Sequence, residues 1–126
     1  MNDVWSTREL EQLATRDELR IAPRRGDGTL AKPRIVWAVR VDDAVYIRSV
    51  NGTDGAWYRS TRARHEGHVS VAAIEKDVAF LDIDPADAIG DRIDAAYHAK
   101  YASYPGPVAR ITADRARATT LRIVPR

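Results

Sequence analysis

The run "RIVWAVRVDDAVYIRSV", Arg34 to Val50, constrains this chain more than any other stretch. β-Branched and aromatic residues flank two adjacent aspartates, the pattern of two strands folded about a turn. Placing the loop at Asp42, Asp43 and Ala44 sets Val41 opposite Val45, Val39 opposite Ile47 and Trp37 opposite Ser49. Apart from Ser49 these residues are apolar, and the face they share must be covered. The other face carries Arg34, Val36, Ala38, Arg40, Tyr46 and Arg48, with arginines set among small and aromatic side chains. That mixture suits a ligand surface or a partly polar subunit contact better than plain solvent.

The flanking segments complete an architecture. Ser6 and Glu9 have the spacing of a capping box and open a helix with Leu10 and Leu13 on its apolar side. "ELRIAP" alternates like a strand, and "RRGDGTLAKP" is a polar loop ending at Pro33. "HVSVAAI" and "DVAFLDID" predict a second hairpin turning near Glu75 to Asp77. A long helix follows, with Asp84 as cap, Pro85 in its first position and Ile89, Ile93, Tyr97 and Tyr101 in one stripe. Pro105 and Gly106 end it, a short turn of helix falls around Val108 to Thr112, and "TTLRIVP" is a last strand. Antiparallel meanders with one long helix before the final strand predict an α+β fold. The expected form is a small antiparallel split or half-closed β-barrel of about six strands, a single domain over residues 1–126. The central strands lack helical crossovers, which argues against a parallel sheet.

Composition narrows the chemistry. With no cysteine there are no disulfides, thiolate metal sites or cysteine nucleophiles. No apolar run approaches the roughly 18 residues a membrane helix needs, and the N-terminus lacks a basic start followed by an apolar block. A cytoplasmic protein with no membrane partner is expected. The net charge of +2, with acids interspersed, makes nucleic acid an unfavoured partner. The basic residues are nearly all arginine, which suits an anionic ligand and is equally what a GC-rich coding sequence produces.

The motifs exclude more than they establish. His65 and His68 form H-x-x-H without a third ligand, so no metal site is expected and both read as solvated turn residues. The aspartates each have a local reading as turn, cap or solvated face, and no serine sits in a nucleophile motif. "NGTDG" lacks the lysine and spacing of a P-loop. "RSVNGTDGAWYR" differs in kind, because a strand end, a glycine-bearing turn and a helix start follow one another. Backbone N–H groups there, beside Arg48 and Ser49, would suit a phosphate, with Trp57 shielding it or an aromatic ring. The alternative is a plain strand-to-helix turn whose tryptophan packs in the core and whose arginines are solvated.

The run Ile35 to Ala73, with "IDAAYHAKY" and the terminal "TTLRIVP", resembles a bacterial family of unknown function, domain-of-unknown-function family 2255. Trp37, Tyr46, Arg48, Ser49, Trp57 and the segment Asp94 to Tyr101 carry the resemblance over nearly the whole chain. More distantly, the strand order is similar to the split β-barrels of pyridoxamine-phosphate oxidases and deazaflavin-dependent nitroreductases. That resemblance implies a homodimer with FMN or F420 in a groove between subunits and oxidoreductase activity. It also implies a phosphate near Arg48, Ser49, Thr53, Gly55 and Trp57, with Arg34, Arg40 and Tyr46 on the neighbouring sheet face. The chain departs from the flavin-binding pattern at Thr53-Asp54-Gly55, where basic residues often stand and Asp54 would repel a phosphate. Haem, or no cofactor in a non-enzymatic dimeric binding module of the same fold, are the alternatives the resemblance leaves.

Overall fold

The structure is a computed structural model that describes residues 4–126, so the first three residues of the expected domain lie outside it. Helix α1 (Thr7–Thr15) opens on the expected capping box: the Ser6 hydroxyl accepts from Glu9 N and the Glu9 carboxylate accepts from Ser6 N. Its buried Leu10 and Leu13 face the barrel, and Lys76 pairs with Glu9 at 2.7 Å. Strand β1 (Leu19–Pro23) follows, then β2 (Arg34–Val36), β3 (Ala38–Val41) and β4 (Ala44–Ile47). A 3-10 turn (Gly52–Asp54) and helix α2 (Ala56–Thr61) lead into β5 (Glu66–Val71) and β6 (Ile74–Asp82). Helices α3 (Ile89–Lys100), α4 (Pro105–Ile111) and α5 (Asp114–Arg117) precede the last strand, β7 (Leu121–Pro125).

The seven strands form one antiparallel sheet in the order β2-β1-β5-β6-β7-β4-β3. Its two outer strands, β2 and β3, are consecutive in the chain and separated only by Trp37. One continuous stretch thus pairs with β1 through its first half and with β4 through its second, which curls the sheet into a nearly closed barrel. The expected unbroken strand is interrupted at Trp37 because its backbone carbonyl accepts a 2.8 Å bond from the Tyr97 hydroxyl instead of a ladder donor. Counting the interrupted strand once recovers the six strands expected.

Both hairpins differ from expectation in register. The first loop has two residues, not three: Val41 pairs with Ala44, Val39 with Tyr46 and Ala38 with Ile47. Asp42 takes φ of 55°, the left-handed start that matches a two-residue loop to strand twist. The second turn lies at Ala72 and Ala73 rather than at Glu75 to Asp77, with Val71 paired to Ile74 and Ala72 at φ 51°. The shift in the first hairpin moves Tyr46 off the face of Arg40 and onto the face of Val39 and Val41.

Two cores result. The barrel interior holds residues such as Ile21, Val45, Ile47, Val69, Phe80 and Ile123, closed at its side by α1. A second core packs Val39, Val41 and Tyr46 beneath Ile93, Tyr97 and Tyr101 of α3, with Val108 and Ile111 of α4. β3 and β4 are therefore covered on both faces. The long helix begins at Ile89, later than the Asp84–Pro85 start expected. The Asp84 carboxylate instead accepts from Ala86 N and makes a separate turn, and Asp87 receives the Ile89 N–H. Pro105 starts α4 rather than stopping the preceding helix alone.

Candidate functional site

The chain leaves β4 through Arg48 and Ser49, both buried. Arg48 donates from Nε to Thr120 Oγ1 at 2.9 Å, from Nη1 to the Asp94 carboxylate and the Ile111 carbonyl, and from Nη2 to the Gly90 carbonyl at 3.2 Å. Its guanidinium also lies 5.6 Å from the Tyr97 ring centroid, and burial raises the Tyr97 hydroxyl well above the usual phenol range. The expected phosphate ligand is thus a bolt through β4, α3, α4 and β7, with its donors engaged inside the protein. Ser49 N donates to Thr119 Oγ1 at 2.8 Å, and the Ser49 carbonyl accepts from Gly52 N.

The glycines of the turn serve the same packing. A Cβ on Gly55 would lie 2.2 Å from Ser49 Oγ, and one on Gly52, at φ +64°, would lie 2.4 Å from Arg115 Cγ. Thr53 is exposed, and Asp54 is met by Arg115 at 3.3 Å. The expected arginine face does not form. Tyr46 is buried under α3, while Arg40 bends back to the Asp42 carbonyl at 2.6 Å and to Asp43. Arg34 stands exposed on β2.

What does come together centres on Trp57. An apolar cleft of about 190 Å³ is walled by Ile35, Trp37, Val50, Trp57, Pro107 and Ile111, with Arg48 behind it. A second hollow, of about 150 Å³, also borders Trp57 and is lined by Arg25, Lys32, Arg34 and Ser60. Arg25 is partly engaged with the Thr29 hydroxyl and the Leu30 carbonyl. Lys32 and Arg34 form no ion pair among the described residues. An indole thus stands between an apolar slot and a cationic hollow. Of the residues expected from sequence, Trp57 and Arg34 meet here and Arg48 lies beneath. Arg25 and Lys32 were not singled out, although "RRGDGTLAKPR" holds four basic residues in eleven positions.

The histidines sit apart from this cleft. His68, on β5, contacts Asp77 at 3.1 Å and Glu75 at 3.2 Å, and the Asp77 bond, with Glu75 aiding, raises its pKa. His65 lies 3.5 Å from Asp82. No group of three potential metal ligands occurs among the described residues.

Residues 9–123 match the family described as "Uncharacterized protein conserved in bacteria (DUF2255)". The chain belongs to DUF2255. No curated protein matches it. Among solved structures, the DUF2255 chain resembles the conserved hypothetical protein Rv2991 from Mycobacterium tuberculosis, with TM-score 0.62 and 8% identity over 97% of this chain and 81% of that one. It also resembles an F420 reductase, with TM-score 0.51 and 21% identity over 92% and 90% of the two chains. A FAD-binding protein from Mesorhizobium loti gives TM-score 0.53 and 19% identity over 97% and 89%. At these identities the likeness is one of fold alone: this chain shares its barrel architecture with these three proteins. No helix among the described residues is long and apolar enough to cross a membrane.

Proposed function

We propose that this DUF2255 protein binds a flavin- or deazaflavin-type cofactor along Trp57 and acts as an oxidoreductase. The observation that carries the reading is the placing of one indole between an apolar slot and a cationic hollow. A planar ring fits the slot between Trp37, Trp57, Ile35 and Val50, and a phosphate or other anionic tail fits Lys32, Arg34 and Arg25. Such a cofactor, when bound, supplies hydride transfer. The chain's own part is to hold the tail by charge, fix the ring against the indoles and keep water from it. Asp54, the residue that argued against a phosphate, pairs with Arg115 at 3.3 Å and lines neither the cleft nor the cationic hollow. The anion is assigned to the β1–β2 loop and β2, with Arg48 supporting the cleft from behind.

A second copy of the chain completes the slot. Ile35 and Val50 are 50% and 45% exposed at its rim, unusual for large apolar side chains that flank a cleft. A homodimer covering them would close the ring site. The same exposed rim favours the second reading, a dimeric interaction module of this fold without cofactor.

The test is an absorbance spectrum of the protein as purified, then calorimetric titration with FMN, FAD and F420, and light scattering. One of the three is expected to bind, with Lys32→Ala/Arg34→Ala weakening it by about 1.5–3 kcal/mol, the range of a charge-assisted hydrogen bond. A dimer that binds none of them leaves the interaction module in its place. A monomer at micromolar concentration removes the shared groove.

A further inference from the structure

The apolar slot beside Trp57 lies where a ladder of the barrel stops. β3 and β4 pair as far as Ala38 with Ile47. In the same register Trp37 would next meet Arg48, and Ile35 would meet Val50, but neither pair forms. The chain turns away after β4 instead, with Ser49 N donating to Thr119 Oγ1 and the Ser49 carbonyl accepting from Gly52 N. The Trp37 carbonyl takes the Tyr97 hydroxyl. Ile35, Trp37, Arg48 and Val50 then line a slot where an unbroken ladder would have run.

The register on both sides fixes the direction of the Ile35 backbone. The two-residue loop makes Val41 and Ala44 a pair that exchanges both bonds. Val41 and Val39 therefore aim their N–H and C=O groups at β4, and Ile35, two and three steps of the same alternation away, aims its own to that side. The β1 side agrees. Arg24 N donates to Glu66 O, so the even-numbered residues of β1 bond to β5. Leu19 and Ile21 are left to bond β2, through Val36 and Arg34. Ile35, opposite Arg20, is the residue of β2 whose donor and acceptor both face the slot and meet no backbone partner among the described residues.

A donor and an acceptor side by side on one extended residue match a lactam edge, an N–H beside a C=O. We infer that the occupant of the slot is a planar lactam or imide held edge-on by the backbone of Ile35, an inference that rests on the cofactor reading above. The ring N–H donates to the Ile35 carbonyl, and the ring carbonyl accepts from Ile35 N, the exchange Val50 would have made. The indoles of Trp37 and Trp57 and the Pro107 ring wall the same slot and keep competing water from these bonds. Flavin and deazaflavin rings both carry such an edge, and a haem ring does not. The Ile35 side chain, half exposed at the rim, takes no part in the grip.

The experiment follows amide hydrogen exchange of the full chain by NMR, alone and with FMN, FAD or F420. In the free chain the Ile35 amide is expected to exchange about tenfold or more faster than those of Arg34 and Val36, which lie in the ladder. The cofactor that binds should slow it by about tenfold or more at saturation. Ile35→Pro deletes the donor and removes no ladder bond, because that N–H faces the slot. It should weaken the cofactor about tenfold, the scale of one hydrogen bond, while Ile35→Val, which keeps the N–H, should stay within about twofold. An Ile35 amide already protected in the free chain overturns the inference. So does an Ile35→Pro chain that melts like wild type and binds as tightly; if that variant does not fold, exchange at Ile35 in the wild type decides alone. Cofactor binding that leaves the Ile35 amide exchanging freely overturns the edge-on grip and leaves the cofactor reading standing, whereas binding of none of the three removes both.

Discussion

Arg48 shows how far a residue's role can lie from its sequence neighbourhood. Read beside Ser49 and the glycines it looks like a phosphate ligand. Its actual partners Asp94, Ile111 and Thr120 lie 46, 63 and 72 positions away, beyond the reach of any local pattern. Arg48→Ala should therefore cost about 2–4 kcal/mol in urea melts, somewhat less than a fully buried pair because Asp94 is partly exposed and has Arg117 at 3.5 Å. A loss below about 0.5 kcal/mol, the usual size of a surface substitution, would mean the bolt is not structural. The sequence reads His68 as a solvated turn residue, but the fold sets it within β5, against Glu75 and Asp77, partners that depend on the β5–β6 register. Their bonds raise its pKa in the folded state. The stability they contribute is complete below the unfolded value of roughly 6.5 and is lost as pH rises through the higher folded value. With the carboxylates well exposed the effect should stay under about 1 kcal/mol. Melts of wild type from pH 5.5 to 8.5 should show this decline, and His68→Gln should flatten it; identical profiles would refute the linkage.

Elements written in local code were the most legible. The Ser6–Glu9 box starts α1 where its spacing says, and the four-residue stripe of Ile89, Ile93, Tyr97 and Tyr101 covers β3 and β4. Ile93 is fully buried, so Ile93→Ala should cost about 2–4 kcal/mol in a denaturant melt, and a cost under about 0.5 kcal/mol would mean the stripe is not packed. The hairpin turns were less legible because their left-handed positions are filled by Asp42 and Ala72 and not by glycine. One residue of loop length then decided which face Tyr46 occupies. The cationic hollow was missed for a related reason. Lys32 and Arg34 lie on either side of Pro33, where a polar loop becomes an edge strand, and only the fold brings them to Trp57.

At the level of the molecule, the number of strands and their antiparallel course could be read from the chain, but the order in which they lie side by side could not. That order places β7, the C-terminal strand, between β6 and β4, bonded on both sides. Trp5 Nε1 adds a 3.0 Å bond to the Ile123 carbonyl, so the first helix's lead-in rests on the same strand. During synthesis the strand that joins the two halves is therefore made after the other six. Until then β4 and β6 are open edges, able to pair with other chains. Removal of residues 121–126 should leave no cooperative unfolding transition by circular dichroism, and a synthetic peptide of residues 119–126 added in excess should restore one. A truncated chain that melts cooperatively by itself would show that the halves close without their last strand. The barrel is thus closed only once its seventh strand has been made, and a frameshift just before residue 121 should be as damaging as one near the middle of the domain.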